Sequence, residues 1–260
     1  MIDNMNINHI SVSRDSTWKQ CQYQYKFRYH EKIPRPGEEP FYFVFGKLVH
    51  KILELYVEGK GEVSSEECTR MVLEGEAELE PNKFAPPLNE WAKGYKPRLP
   101  RCVANGVKLA DKMGFGNDIL EHKFHYDLDG EGRHVMGFID WLKDHGDGKY
   151  TVIDYKTTKK GPFRETAQTV TKNLQLRTYA RVVQKEFGAK PEDIRCALYY
   201  LEDASLIAAK FNEESLEFAE KQLLEAYKQI EQTTAEKAWP NVGRHCSRCD
   251  YKTLCMHYNV

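Results

Sequence analysis

Two apolar runs, Val135 to Lys143 and Tyr150 to Ile153, are separated by a polar stretch that contains Asp147-Gly148. An Asp-Gly pair accepts the positive φ angles of a tight turn, so the pattern predicts a hairpin that feeds a strand beginning at Tyr150. A further strand is expected over Glu121 to Leu128. Downstream, Leu176, Ala180, Val183 and Phe187 form an apolar helical stripe closed by Gly188 and followed by Pro191. Two more strands, Arg195 to Leu201 and Leu206 to Phe211, precede a long helix to about Thr233. Asn212 can cap that helix, and Glu213 and Glu214 sit where its dipole favours them.

Upstream the periodicity is helical. Trp18, Cys21, Tyr25 and Tyr29 fall on one face of a helix expected over Thr17 to Tyr29, and further helices are expected over Phe45 to Tyr56 and Arg101 to Met113. Prolines break the chain between Ile33 and Pro40, and Pro81 to Pro100 reads as irregular. The order of helices, a strand meander, a helix, a strand pair and a helix implies an α/β fold with a mixed central sheet flanked by helices. A chain of 260 residues buries one sizeable core, so residues 1–260 are expected as one domain, with 41–120 as a helical insertion or lobe and 240–260 as a cysteine-rich tail.

With 41% hydrophobic and 30% charged residues the composition excludes a disordered or fibrous chain. No apolar run reaches the roughly 18 residues of a membrane span, and the first residues lack a secretion signal, which points to the cytoplasm. A formal net charge of −1 excludes bulk attraction to nucleic acid. The charge is segregated, however. Lys149 to Lys190 carries ten Lys or Arg against three acidic residues, whereas Glu54 to Glu80 carries nine glutamates against Lys60 and Arg70. A neutral chain built this way can present a positive face to phosphate; solvated faces of ordinary helices would give the same counts.

Asp140 ends an apolar strand, and Asp154 and Lys156, two residues apart, share one face of the next. If the two strands pair, Asp140 comes close to Asp154. Adjacent carboxylates repel unless a proton or a cation bridges them, and hard oxygen ligands suit Mg²⁺ or Mn²⁺. A divalent ion beside a lysine is the chemistry that phosphodiester hydrolysis requires. An isolated Asp-x-Lys is common, and a surface ion pair would satisfy it equally well.

Gly137-x-x-Asp140, then about a dozen residues, then Asp154-Tyr155-Lys156-Thr157, then Asn173-x-Gln175-x-x-x-Tyr179 resembles the RecB-like branch of the PD-(D/E)xK nuclease family. Gly46-x-x-Val49-His50 upstream is similar to the same family. The resemblance implies a restriction-endonuclease-like fold and a Mg²⁺- or Mn²⁺-dependent deoxyribonuclease. It places the metal on His50, Asp140, Asp154 and the backbone carbonyl of Tyr155, and catalysis on Asp140, Asp154, Lys156, Gln175 and Tyr179. Glu121 joins the metal shell in some members, and a plain strand-end glutamate is an equal reading. Exonuclease action on single strands or free ends is what the family implies, in phage or bacterial recombination and repair. A nuclease of the CRISPR-adaptation type is the alternative, and a non-catalytic DNA-binding module is the rival from another class. No Gly-x-x-x-x-Gly-Lys-Ser/Thr loop occurs, so unwinding would fall to a helicase or recombination partner.

Seven cysteines without a secretion signal are read as metal ligands where clustered and as core residues where scattered. Cys246-x-x-Cys249-x5-Cys255 is the cluster, and Cys21 is the distant partner in a comparable setting. Spacing alone leaves two chemistries open, iron-sulfur with four thiolates or Zn²⁺ helped by His245 or His257. One N-terminal and three C-terminal cysteines are similar to the iron-sulfur branch of the family. That implies a 4Fe-4S cluster on Cys21, Cys246, Cys249 and Cys255, joining the N- and C-terminal segments. Lys159, Lys160, Arg164, Lys172 and Arg177, with Arg181 beyond them, are the expected phosphate contacts. The run Arg14, Lys19, Lys26 and Arg28 among Tyr23, Tyr25 and Phe27 reads better as a helix packing its aromatics.

Overall fold

The computed structural model describes residues 4–36, 39–75, 90–162 and 164–258. The readings placed on Gly37 and on Pro81 to Asn89 lie outside the described residues. By the contacts of its backbone the chain divides into two compact units: one of residues 1–39, 123–137 and 217–260, the other of residues 40–122 and 138–216.

The second unit holds most of the sheet. Among the described residues five strands, β1 (Asn117–Asp127), β2 (His134–Asp144), β3 (Tyr150–Lys156), β4 (Ile194–Tyr200) and β5 (Ser205–Ala209), follow one another in the sheet in chain order. β2 and β3 are antiparallel, with Trp141 opposite Ile153, as the Asp147-Gly148 turn requires. β3 and β4 are parallel, with Asp154 opposite Leu198. A parallel pair needs a long crossover, and α6 (Leu174–Phe187) provides it. The Asn173 side chain caps its first turn by accepting from the Leu176 amide, and Gly188 ends it in the left-handed region with φ 68°. β4 and β5 are antiparallel. The expected mixed sheet is therefore present.

Three helices complete this unit: α3 (Phe41–Glu58), α4 (Ser65–Leu73) and α5 (Arg98–Met113). α3 begins four residues earlier than its apolar stripe predicts, and α5 begins three earlier, inside the stretch expected to be irregular. α4 is not marked by the apolar periodicity of the sequence; Ser64 caps it by accepting from the Glu67 amide. Phe45, Leu48, Val49, Ile52 and Leu53 of α3 enter one core with Cys102 and Val103 of α5 and with Trp141, Ile153, Tyr155 and Tyr199 of the sheet. α3 and α5 approach closely at Gly106, where a Cβ would lie 2.4 Å from both δ-carbons of Leu53. Gly106 is therefore a contact surface. Cys102 and Cys196 are fully buried, and burial pushes both thiols far up, which makes them inert packing residues.

In the first unit α1 (Val12–Gln20) stops at Cys21, which is extended at φ −166° and ψ 117°; α2 (Gln22–Tyr25) starts after it and runs into one π-helical turn over Lys26–His30. The continuous helix expected over Thr17 to Tyr29 is thus corrected to two pieces broken at the cysteine. Its aromatics do pack inward, as expected. Tyr25 is fully buried with Trp18 at 5.4 Å between ring centres, and Arg14 lies over the Tyr29 ring. α7 (Glu213–Gln232) closes the order of elements, capped by the Asn212 side chain on the Ser215 amide.

Candidate metal and phosphodiester site

The site is built from residues of α3, β1, β2, β3 and α6 that belong to the second unit. His50 of α3, Glu121 of β1 and Asp140 of β2 each offer a ligand atom, and those atoms lie within 4.8 Å of one another. The His50 Nδ1 is 3.5 Å from Asp140 Oδ2. The same oxygen accepts a 2.8 Å hydrogen bond from the backbone amide of Tyr155, which fixes the carboxylate against β3. Glu121 sits at φ 45°, a left-handed conformation that costs a glutamate of order 1–3 kcal/mol. The kink interrupts the alternation of β1.

Burial first, and the Asp140 charge second, push the Glu121 carboxyl up to about 7. Such a carboxyl next to another carboxylate and an imidazole is a site in want of a cation. Two oxygens and one nitrogen suit a hard or borderline divalent ion, and the donor set therefore fits the metal that the sequence implies.

Asp154, on β3, is buried and lies 2.6 Å from the Lys156 ammonium. Burial raises the Asp154 carboxyl, while Lys156 draws it back. For Lys156 burial alone would favour the neutral amine, but the Asp154 charge outweighs it and holds the side chain above the ordinary lysine value. The ammonium also donates to Gln175 Oε1 at 3.0 Å, and Gln175 Nε2 donates to the Tyr179 hydroxyl at 2.7 Å. Burial and then the Asp154 charge keep the Tyr179 phenol protonated well beyond its usual range. The chain Asp154, Lys156, Gln175, Tyr179 holds the lysine cationic and aimed.

All of the residues expected in catalysis thus occupy one region, together with His50 and Tyr155. Glu121 was an equal choice in sequence and lies in the ligand cluster. Nothing in the alternation of β1 marks it, since its place depends on a backbone kink.

The basic residues divide. Lys159, Lys160 and Lys172 are exposed. Arg164 donates to the Thr158 carbonyl and, at 2.8 and 2.9 Å, to both oxygens of Asp203. Arg177 donates twice to the Thr171 carbonyl, and Arg181 pairs with Glu213 at 2.6 Å. These three arginines brace loops and a helix end with the same groups that would touch phosphate.

In the first unit Cys21, Cys246, Cys249 and Cys255 line one small cavity, with Tyr23, Phe27 and His245 also in its wall. Burial raises the Cys249 thiol, and its neighbours Cys21 and Cys246 add to the effect. Tyr251 anchors this region by donating to the Ile33 carbonyl at 3.1 Å. The extended break at Cys21 therefore coincides with a wall position in the cysteine cavity.

Residues 9–256 match the profile of the PD-(D/E)XK nuclease superfamily. No curated protein matches the chain at a significant level. Among solved structures, a protein of Eubacterium rectale provisionally assigned as an exonuclease superimposes with a TM-score of 0.55 at 13% identity, covering 94% of this chain and 88% of the other. The crystal structure of SSO0001 gives a TM-score of 0.49 at 14% identity, over 97% and 88%. At 13% identity the likeness to the Eubacterium rectale protein concerns the fold alone. No helix among the described residues is long and apolar enough to cross a membrane.

Proposed function

This chain belongs to the PD-(D/E)XK nuclease superfamily, and from that premise we propose that it is a Mg²⁺- or Mn²⁺-dependent deoxyribonuclease acting from free or single-stranded ends. The observation that carries the reading is the meeting of His50, Glu121 and Asp140 within ligand distance beside a lysine held cationic by Asp154. A divalent ion bound by His50, Glu121, Asp140 and Asp154, with the Tyr155 carbonyl, would polarise the scissile phosphate and lower the pKa of a water. Lys156 places a positive charge where the phosphoryl oxygens gain negative charge in the transition state. Asp154 keeps that lysine protonated, and Gln175 and Tyr179 fix its direction. Asp154 is buried, which strengthens its attraction to the Lys156 ammonium.

End-labelled single and double strands incubated with each metal test this directly. Cleavage by the wild type and its loss in Asp154→Ala are expected. A wild type inert with both metals, or an active Asp154→Ala, would refute the nuclease reading.

The finer assignment is to the iron-sulfur, RecB-like branch, as a recombination or repair exonuclease of a phage or bacterium. Support comes from the shared cavity of the four cysteines, whose thiolates suit a 4Fe-4S cluster. The cluster would act as a staple across residues 1–260 as a single nuclease domain, with 41–120 as its helical lobe. A brown protein after anaerobic purification is expected, and a colourless one with stoichiometric zinc would refute the iron-sulfur assignment.

A further inference from the structure

A cavity of about 400 Å³ opens beside the end of β3, walled by Tyr42, Lys93, Tyr95, Arg98, Thr157 and Lys159. That volume is in the range of small-ligand sites. Tyr42 lies in the first turn of α3, Lys93 and Tyr95 precede α5, and Thr157 follows Lys156 directly. The cavity is therefore continuous with the catalytic strand.

Its chemistry is divided between a spent cation and two available ones. Arg98 is buried, pairs with Glu202, donates to the Thr157 carbonyl at 2.7 Å and stacks over Phe45 and Tyr95 at 4.7 Å each. It forms a rigid wall. Lys93 and Lys159 are exposed and form no ion pair among the described residues. Tyr42 is 55% exposed, and its ring lies 4.4 Å from that of Phe43, which is also exposed. Single exposed aromatics are ordinary, but an exposed tyrosine in the wall of a cationic cavity, backed by the Phe43 ring, offers a stacking platform.

Tyr42, Gly46 and His50 follow at four-residue steps and share one face of α3. A Cβ on Gly46 would lie 3.7 Å from Thr157 Oγ1, so this face runs along the chain that leaves Lys156. Eight residues of helix span about 12 Å. The stacking ring therefore stands a short stretch of nucleic-acid strand away from the His50, Glu121 and Asp140 cluster.

We propose that this cavity binds one unpaired nucleotide of the strand being cut, its phosphate between Lys93 and Lys159 and its base on Tyr42. A base inside a duplex has both faces covered by its neighbours and cannot reach the ring. The cavity thus selects single-stranded DNA. The identity of the strand rests on the nuclease reading above, whereas the test below does not require cleavage.

The probe is a short fluorescein-labelled oligothymidylate in EDTA, followed by anisotropy, beside a duplex of the same length. The wild type should bind the single strand more tightly. Tyr42→Ala should weaken that binding on the order of tenfold, and Tyr42→Phe should retain it. Lys93→Ala with Lys159→Ala should lower the salt slope by about 1.4, two phosphate contacts on a single strand. Since these side chains are exposed, unchanged thermal unfolding should confirm that the variants fold. Wild-type affinity in Tyr42→Ala, or an equal loss on single strand and duplex, would overturn the proposal. If the wild type binds in this way but cleaves with neither metal, the nuclease reading falls and the cavity stands. If the wild type cleaves and Tyr42→Ala binds and cleaves like it, the cavity falls and the nuclease reading stands.

Discussion

Replacing Glu121 by glutamine tests whether this residue inside β1 is a metal ligand. In the metal-free protein, burial and then the Asp140 charge push the Glu121 carboxyl up to about 7, against about 4.3 for a free glutamate. A carboxyl whose folded value lies above its unfolded value binds protons more tightly in the folded state. It therefore stabilises the fold at low pH, and that contribution is lost as pH rises from about 4.3 through 7. At about 1.4 kcal/mol per tenfold change in proton affinity the whole displacement corresponds to roughly 3.7 kcal/mol. Repulsion between two charges at the 4.8 Å limit of the cluster is of the same order, about 3.5 kcal/mol at an effective dielectric of 20. Glu121 is partly solvated, so about 1–2 kcal/mol is expected in practice. In EDTA at pH 8, Glu121→Gln should melt about 2–8 °C above the wild type, and the difference should close by pH 5. Added Mn²⁺ should raise the melting point of the wild type at pH 8 and raise the variant far less, because a ligand is gone. Melting by circular dichroism across this pH range, with and without Mn²⁺, provides the measurement. A variant no more stable than wild type at pH 8, or an equal rise with Mn²⁺, would refute the cluster.

Three further outcomes are expected. Gly106→Ala forces a methyl to 2.4 Å from Leu53, so about 1–3 kcal/mol of overpacking should exceed the roughly 1 kcal/mol that alanine adds to a helix; a gain in stability in urea unfolding would show that α3 and α5 are not so closely packed. Lys156→Met should lower kcat on the order of 10²-fold or more while Mn²⁺ binding measured by calorimetry persists, since its charge acts on the phosphate; near-wild-type turnover would remove it from the chemistry. Cys249→Ser should lose the visible absorption and iron of the anaerobically purified protein and lower its melting temperature; an unchanged spectrum would exclude this thiolate as a ligand.

Much of the fold was legible because its punctuation is chemical. Asp147-Gly148 marks the hairpin, Gly188 ends α6 and Asn212 caps α7, each through a local backbone preference that acts without tertiary context. The order His50, Asp140, Asp154, Lys156, Gln175, Tyr179 was legible as a motif, and strand alternation accounts for Asp154 and Lys156 on one face. Other features were not. Glu121 enters the ligand cluster through a positive φ that alternation cannot express. Cys21 breaks a helix whose apolar spacing runs straight through it, and side-chain spacing carries no sign of its extended backbone. Charge counts identified Arg164 and Arg177 as phosphate contacts, yet both are engaged with Asp203 or with backbone carbonyls, partners that only the folded loops supply.

The first unit draws together residues 1–39, 123–137 and 217–260, and this sets an order on the birth of the molecule. During synthesis the chain leaves the ribosome from its N-terminus, so Cys21 waits unpartnered while the rest of the polypeptide emerges. Closing a loop between Cys21 and Cys255 costs about 5 kcal/mol of chain entropy in the ideal-chain estimate. Contacts so distant in sequence form late and slowly. Cys246, Cys249 and Cys255 supply three of the four cysteines of the cavity, so a chain truncated before Cys246 can assemble no four-thiol pocket.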